Sequence, residues 1–172
     1  PVNNVNYQLN SCDSSEVPDP VCLGAKDNGT GDTNSNPIVI CTVDDLNNVR
    51  NGLNKHYKLG RNLDLNVSPY NEDEGFEPIG NDVTPFTGSF DGDGRTISNL
   101  YINRPIRDNI GFFGQVNGGE ITGISLTNIN LSGQNNIGGL IGLTISTEEI
   151  SENINISIIN VTGNITGSNN IG

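Results

Sequence analysis

Two carboxylates two residues apart, a neighbouring guanidinium and a lone imidazole are the groups in this chain best placed to do chemistry. Asp91 and Asp93 sit within Phe90-Asp91-Gly92-Asp93-Gly94, with Arg95 next. Paired carboxylates can divide acid and base work when their separation suits a substrate and a water. Within an Asp-Gly turn the same carboxylates bond local amides instead, because Asp closes on its own backbone and Gly tolerates positive φ. The turn role is the expected one. A lyase would need a base and nearby cations, and Arg95, Arg104 and Arg107 are the candidates. His56 is the single histidine and stands beside Lys55 and Lys58, which reads as a surface position. The chain has no Gly-x-Ser-x-Gly elbow, and one histidine cannot supply His-Glu-x-x-His. Gly92-Asp93-Gly94-Arg95 does not follow the phosphate-loop pattern, which needs a strand and a following helix. The expectation is a protein without catalytic residues.

Metal and thiol chemistry is confined to the start of the chain. Cys12, Cys22 and Cys41 are the only cysteines. An odd count predicts one disulfide plus one free or intermolecular thiol, with three reduced thiols as the alternative. Cys12 and Cys22 enclose a short proline-containing loop and are the expected pair in an oxidising compartment. Their spacings lack the CxxC form of a zinc site. Asp27, Asn28 and Asp32 bring oxygen atoms together and are candidate calcium ligands. The segment lacks the terminal bidentate Glu of a calcium loop, so a solvated loop is the favoured reading. No other cofactor is expected. Asn-x-Ser/Thr occurs at Asn28, Asn66, Asn130, Asn155, Asn160 and Asn164. Many such matches follow from an Asn-rich composition, and modification needs a compartment holding the transferase.

The elements that must position these groups follow from composition and pattern. The chain has 172 residues, a net charge of -12 and 22 glycines, with a pI near 4.1. Such acidity argues against tracking nucleic-acid phosphates or anionic lipid surfaces. No apolar run approaches the roughly 20 residues of a membrane span. Frequent Gly and Asn, both tolerant of left-handed backbone, disfavour long helices.

Residues 1–37 are polar, with one alternating run over Val2, Val5, Tyr7 and Leu9 that could form a strand. Pro37 to Cys41 reads as a buried strand. Thr42 then caps a short helix through Val49, with Asp45 in the acidic position of a capping box and Gly52 closing the end. Val43, Leu46 and Val49 share one face of that helix, which could cover the end of an elongated sheet. His56 to Leu65 reads as two short strands around a bend. Ser68 to Glu77 reads as a loop whose Glu72, Asp73 and Glu74 form a solvated face. Phe76, Ile79, Phe86 and Phe90 supply bulky anchors.

The chain then becomes repetitive. Asn-Ile-Gly recurs at Asn109, Asn136 and Asn170, and Ile124 to Ile129 matches Ile156 to Val161 at a different offset. Unequal offsets suit a constant rung with variable corners, as in solenoids. The predicted fold is all-β, a right-handed parallel β-helix of about five to seven rungs, with an antiparallel sandwich as the alternative. Inward candidates are Ile97, Leu100, Ile102, Ile121, Ile124, Leu126, Ile129, Leu131, Ile156, Ile158, Val161 and Ile165. Gly111, Gly114, Gly118, Gly119, Gly123, Gly138, Gly139 and Gly142 fit tight corners. Corner asparagines such as Asn136 and Asn170 can stack in ladders.

Phe90 to Leu100, Gly111-Phe112-Phe113-Gly114 and Asn136 to Gly142 resemble the glycine-rich repeats called GLUG, found in large bacterial surface and secreted proteins. Phe112-Phe113 replaces the more usual Leu-Val type of pair. The resemblance spans residues 38–172 and implies an extracellular, adhesin-like or scaffold module with no catalytic residue to carry over. The organisation expected is a cysteine-containing segment over 1–37 and a repeat domain over 38–172. Asn169-Asn170-Ile171-Gly172 repeats the opening of Asn135 to Gly138, so the repeat is expected to continue beyond 172 or to dock end to end on a neighbour, giving a filament. The function expected is a secreted or cell-surface structural module contacting other chains of a larger assembly. The alternative is a carbohydrate-binding or carbohydrate-cleaving β-helix.

Overall fold

A computed structural model describes residue 22, residues 29–145 and residues 155–171. The chain is a parallel β-solenoid of about three turns with one short helix. Strands β1 (Ile38–Ile40), β2 (His56–Leu59), β3 (Leu63–Asp64), β4 (Ser89–Asp91), β5 (Thr96–Ser98) and β6 (Tyr101–Asn103) are short. The later strands are β7 (Phe113–Asn117), β8 (Glu120–Ser132), β9 (Asn135–Ile137), β10 (Ile141–Ile145), β11 (Asn155–Thr166) and β12 (Asn169–Ile171).

Every ladder between these strands is parallel, which rules out the sandwich. On one face Ile38, Tyr57, Phe90, Ile121 and Ile156 lie in register from β1 to β11. On the next, Leu63, Ile97, Leu126 and Val161 do so. No rung buries its own inner face, so the column of apolar residues exists only because the rungs stack. Ile97, Leu100, Ile102, Ile121, Ile124, Ile129 and Leu131 are buried, as the alternation predicts.

The aromatic anchors lock the column in its middle. Phe90 meets Phe112 and Phe113 edge-on, with centroids 5.7 and 5.6 Å apart. Phe76 stacks on Phe112 at 5.9 Å and Phe86 tilts on Phe113 at 4.9 Å. Such pairs add about 0.5–1.5 kcal/mol each beyond area burial. The unusual Phe112-Phe113 pair is thus accounted for, since each ring is fully buried against partners from an earlier turn.

Helix α1 (Val43–Asn47) begins as the sequence predicts. Thr42 Oγ1 accepts the Asp45 N–H at 3.0 Å, and Asp45 Oδ2 accepts the Thr42 N–H at 3.0 Å. The expected single helix through Val49 is instead α1 followed by a 3-10 turn over Asn48–Asn51. This tightening keeps Leu46 and Val49 both fully buried. Tyr57 Oη donates to Gly52 O at 2.8 Å, tying the helical segment to the first turn.

Four expectations need correction. The solenoid has about three turns rather than five to seven rungs, although five strands stack from β1 to β11, with paired residues 19 to 35 positions apart. The match of Ile124–Ile129 to Ile156–Val161 is not the structural register: Ile124 pairs with Ile158 and Leu126 with Val161, with register shifts along β11. Ile156 and Ile158, expected inside, are 42% and 46% exposed, because β11 is the last strand of its ladder among the described residues. The disulfide joins Cys22 to Cys41, not Cys12 to Cys22. Cys41 directly follows β1, and its Sγ and that of Cys22 lie over Gly60, where an added Cβ would come within 2.5 Å of Cys22 Sγ. Cys12, the strand over residues 2–9, Asp27, Asn28 and Gly172 lie outside the described residues.

Candidate functional site

Asp91 and Asp93 form a stacked corner. Asp91 Oδ1 accepts the Asp93 N–H at 2.8 Å, and Asp93 and Gly94 both take positive φ, 50° and 75°. Gly92 N donates to Thr122 O at 2.7 Å and Gly94 N to Gly123 O at 2.9 Å, so the turn rests on the corner of the next rung. A Cβ on Gly92 would lie 2.5 Å from Gly123 O. Lys58 Nζ reaches Asp93 Oδ1 at 3.0 Å and lies 3.9 Å from Asp91 Oδ2. The two carboxylates therefore hold a turn and a lysine.

A shallow groove of about 440 Å³ runs beside this corner, lined by residues including Asn34, Lys58, Ser89, Asp91 and Glu120. Along it the parallel register stacks His56, Ser89, Glu120 and Asn155 at successive levels. His56 is half-buried rather than a free surface residue, with Nδ1 2.8 Å from Ser89 Oγ. Ser89 Oγ in turn donates to Asn34 Oδ1 at 2.6 Å, so the serine proton is already placed. Asn155 Nδ2 donates to Glu120 Oε1 at 2.8 Å. Tyr57 and Phe90 border the groove but are buried, so they present no open ring face to a sugar.

The expected cations have other work. Arg104 is 6% exposed and bonds Glu74 by Nη1, while Nη2 lies 3.3 Å from Glu77. Glu74, read as part of a solvated acidic run, instead neutralises this buried guanidinium. Arg50 lies over the Phe76 ring at 4.5 Å, and burial pulls its guanidinium down to about 10. Nothing local in the sequence announces either arrangement, since Glu74 and Arg104 are 30 residues apart. Asp32 is engaged by Lys55, whose hydrogen bond holds its carboxyl below the usual range. Among the described residues no three acids, histidines or cysteines gather as a metal site.

The repeat glycines and asparagines converge at another corner. Gly111 faces Gly138 O and Gly142 N, where an added Cβ would lie 2.8 Å from each. A Cβ on Gly139 would come within 2.5 Å of Val161, and one on Gly114 within 2.5 Å of Gly80 O. Asn109, Asn136 and Asn170 all adopt left-handed backbone, with φ of 59°, 54° and 51°. Their side chains form a ladder, Asn136 Nδ2 to Asn109 Oδ1 at 2.9 Å and Asn170 Nδ2 to Asn136 Oδ1 at 3.0 Å. Next to it Asn135 Nδ2 donates to Asp108 Oδ1 at 2.8 Å and Asn169 Nδ2 to Asn135 Oδ1 at 2.9 Å.

The last rung leaves an apolar face uncovered among the described residues. A groove of about 460 Å³ is lined by residues including Ile129, Leu140, Ile141, Ile156, Ile158 and Val161. Ile159 on β11 and Ile171 on β12 are 60% and 50% exposed. No helix among the described residues is long and apolar enough to cross a membrane.

No family model matches the chain, and no solved structure matches it. It is similar to halomucin of Haloquadratum walsbyi, at 35% identity over 164 residues, which is 90% of this chain and 2% of that protein. It is also similar to a Gly-rich membrane protein of Evansella cellulosilytica, at 37% identity over 98 residues, 55% of this chain and 11% of that one. The chain thus spans a small fraction of the length of the relatives it matches. With the solenoid corners just described, these likenesses point to a glycine-rich protein of the surface type.

Proposed function

We propose that the chain is a structural module of a secreted or cell-surface protein, without catalysis, whose polar outer faces make adhesive contacts. One observation carries this reading: the parallel ladder runs unbroken from Ile38 to Ile156 around an aromatic and aliphatic column, with hydrogen-bonded side chains at its corners. Such an array is stiff along its axis, because each rung is held by both neighbours. Its outer positions are polar and repeat at each level, which suits display and contact. The likeness to halomucin supports the surface location. Membrane-impermeant biotinylation of intact producing cells tests it. Label is expected on Lys55 or Lys58 before lysis, and label that appears only after lysis would overturn the reading.

The groove beside Asp91 favours a second reading, glycan binding, because it carries carboxylates, amides and a hydroxyl at regular levels. A glycan array run with a lyase assay separates the two. Saturable glycan binding lost in Glu120→Ala would favour the second, and product release would add catalysis to it.

A further inference from the structure

Two turns contribute to one cleft on the side of the solenoid. It holds about 230 Å³ and is lined by residues including Glu77, Asn81, Asp82, Arg104, Arg107 and Asp108. The first turn, Asn81 to Thr84, closes on its own asparagine. Asn81 Oδ1 accepts the N–H groups of Val83 and Thr84 at 3.0 and 2.9 Å, and Asn81 N donates to Thr84 O at 3.0 Å. The second, Arg104 to Arg107, closes with Arg107 N donating to Arg104 O at 2.9 Å, and the ring of Pro105 fixes its φ. Both turns lie between buried residues, Ile79 and Phe86 around the first, Ile102 and Ile110 around the second. Val83 and Ile106 are 82% and 85% exposed, more than any other large apolar side chain among the described residues. Single exposed apolar residues need no explanation. These two are each next in sequence to a charged residue that lines the cleft, Val83 after Asp82 and Ile106 before Arg107.

Asp82 and Arg107 line the same cleft without reaching ion-pair distance of each other, and among the described residues neither has another charged partner. The other described lysines and arginines are engaged: Arg50 on Asn47, Lys55 on Asp32, Lys58 and Arg95 on Asp93, Arg104 on Glu74 and Glu77, and Arg61 as well. The patch therefore carries one open carboxylate, one open guanidinium and an exposed aliphatic residue beside each. A two-fold axis sets residue i of one copy on j of the other and j on i, so a patch of this composition is its own complement. We propose that this cleft is a self-association surface, on which a second copy of the chain docks about a two-fold axis. Asp82 of each copy meets Arg107 of the other, and Val83 of each meets Ile106 of the other. The proposal rests on the contact-module reading above and names one contact and its partner. A basic foreign protein would suit the net charge of -12 but would set Arg107 against its own sign. The turns are hydrogen-bonded beforehand, so docking has little to order. The patch is small and the contact correspondingly weak, in the range that surface-tethered copies overcome through effective concentration.

Sedimentation velocity of the whole chain, loaded up to the millimolar range, tests this. The salt is 0.15 M, where the screening length of about 8 Å mutes the long-range repulsion between acidic copies. A reversible monomer–dimer equilibrium is expected. Asp82→Arg and Arg107→Asp each set two like-charge contacts across the axis, and each is expected to weaken dimerisation at least tenfold. An equimolar mixture of these two variants restores both opposite-charge contacts in the heterodimer. It is expected to associate as the wild type does, although neither variant does so alone. Val83→Ser with Ile106→Ser is expected to weaken association and leave the melting temperature unchanged, since both positions are exposed. A monomer throughout the range, dimerisation indifferent to either charge reversal, or a mixture no more associated than its components would each overturn the proposal. Surface labelling of Lys55 and Lys58 is read separately, so failure here leaves the module reading standing.

Discussion

Asn136 donates its Nδ2 to Asn109 Oδ1 at 2.9 Å while its own backbone is left-handed, with φ 54°. One residue thus serves two purposes, turning the corner and bonding the rung beneath. Asparagine tolerates this backbone better than most residues, because its short amide can bond locally. Asn136→Gly keeps the turn and removes both ladder bonds, to Asn109 and from Asn170, so it is expected to cost about 1–3 kcal/mol. Asn136→Ala removes the same bonds and also strains the backbone, adding about 1–2 kcal/mol. Urea unfolding of the two variants checks this. An Ala variant as stable as the Gly variant would show that the left-handed corner is not what selects asparagine.

Arg104 and its two glutamates make an asymmetric set, since the guanidinium is buried while Glu74 and Glu77 are largely exposed. Removing the arginine returns two carboxylates to water they already touch. Removing both glutamates strands a buried cation. Glu74→Ala with Glu77→Ala is therefore expected to cost about 3–5 kcal/mol, and Arg104→Met clearly less. The reverse order in a thermal or urea series would refute the assignment.

Cys22 and Cys41 are 19 residues apart in sequence. Closing a loop of that size is expected to contribute about 3 kcal/mol, mainly by restricting the unfolded chain. Cys22→Ser and dithiothreitol should lower the melting temperature equally, and their effects should not add. Non-reduced peptide mapping should recover the Cys22–Cys41 pair. A Cys12-containing disulfide to either partner would contradict the geometry.

What could be read from the sequence was whatever is written within a few residues. The Thr42–Asp45 box needs a separation of three, and it formed. The Asn-Ile-Gly corners carry their own turn chemistry, and Ile110, Ile137 and Ile171 pair as the motif implies. The alternating run at Ile97 placed the inner face correctly because a one-residue slip would expose the whole set. Partnerships made across turns were hidden. Cys41 could not be assigned to Cys22 until the path of the chain around β1 and Gly60 was known. Glu74 looked solvated because Arg104 approaches it from the following strand segment. The Ile124–Ile158 register eluded pattern matching because β11 slips at three places, and bulges shift spacing without changing composition.

Asp64 begins one ladder, and its carboxyl is held below the ordinary value of 3.8 by Asn99 Nδ2 first and the Asn66 N–H second. A carboxyl whose folded pKa is depressed binds its proton more weakly in the folded state than in the unfolded one. Its stabilising contribution is therefore complete above the unfolded value and is lost as pH falls through the folded one. Carbon-detected NMR titration should place the Asp64 midpoint below 3.8, and Asn99→Ala should move it upward. An unchanged midpoint in Asn99→Ala would remove the ladder as the cause.

Ionic strength should stabilise this protein. Asp and Glu number 20 against 8 Lys and Arg, so the folded chain concentrates a net charge of -12. Compaction brings like charges together and self-repulsion opposes it. Opposing pairs exist, such as Lys58 with Asp93 and Lys55 with Asp32, and salt weakens them too. Both pairs are partly exposed, and such bridges contribute about 0–1 kcal/mol each. The unpaired excess of acids therefore sets the sign. Raising salt from 0.01 to 0.15 M shortens the screening length from about 30 to about 8 Å, which covers most neighbouring acids on a domain of this size. The melting temperature is expected to rise across that range and then flatten. Sodium chloride and sodium perchlorate should act alike at these concentrations if screening is the cause, since specific-ion effects on apolar burial need higher salt. Glu72 and Asp82 are exposed acids. Glu72→Gln with Asp82→Asn lowers the charge by two units and should raise the melting temperature in 0.01 M salt while reducing the slope. A melting temperature that falls with added salt would mean that the ion pairs, and not the acidic excess, dominate the surface electrostatics.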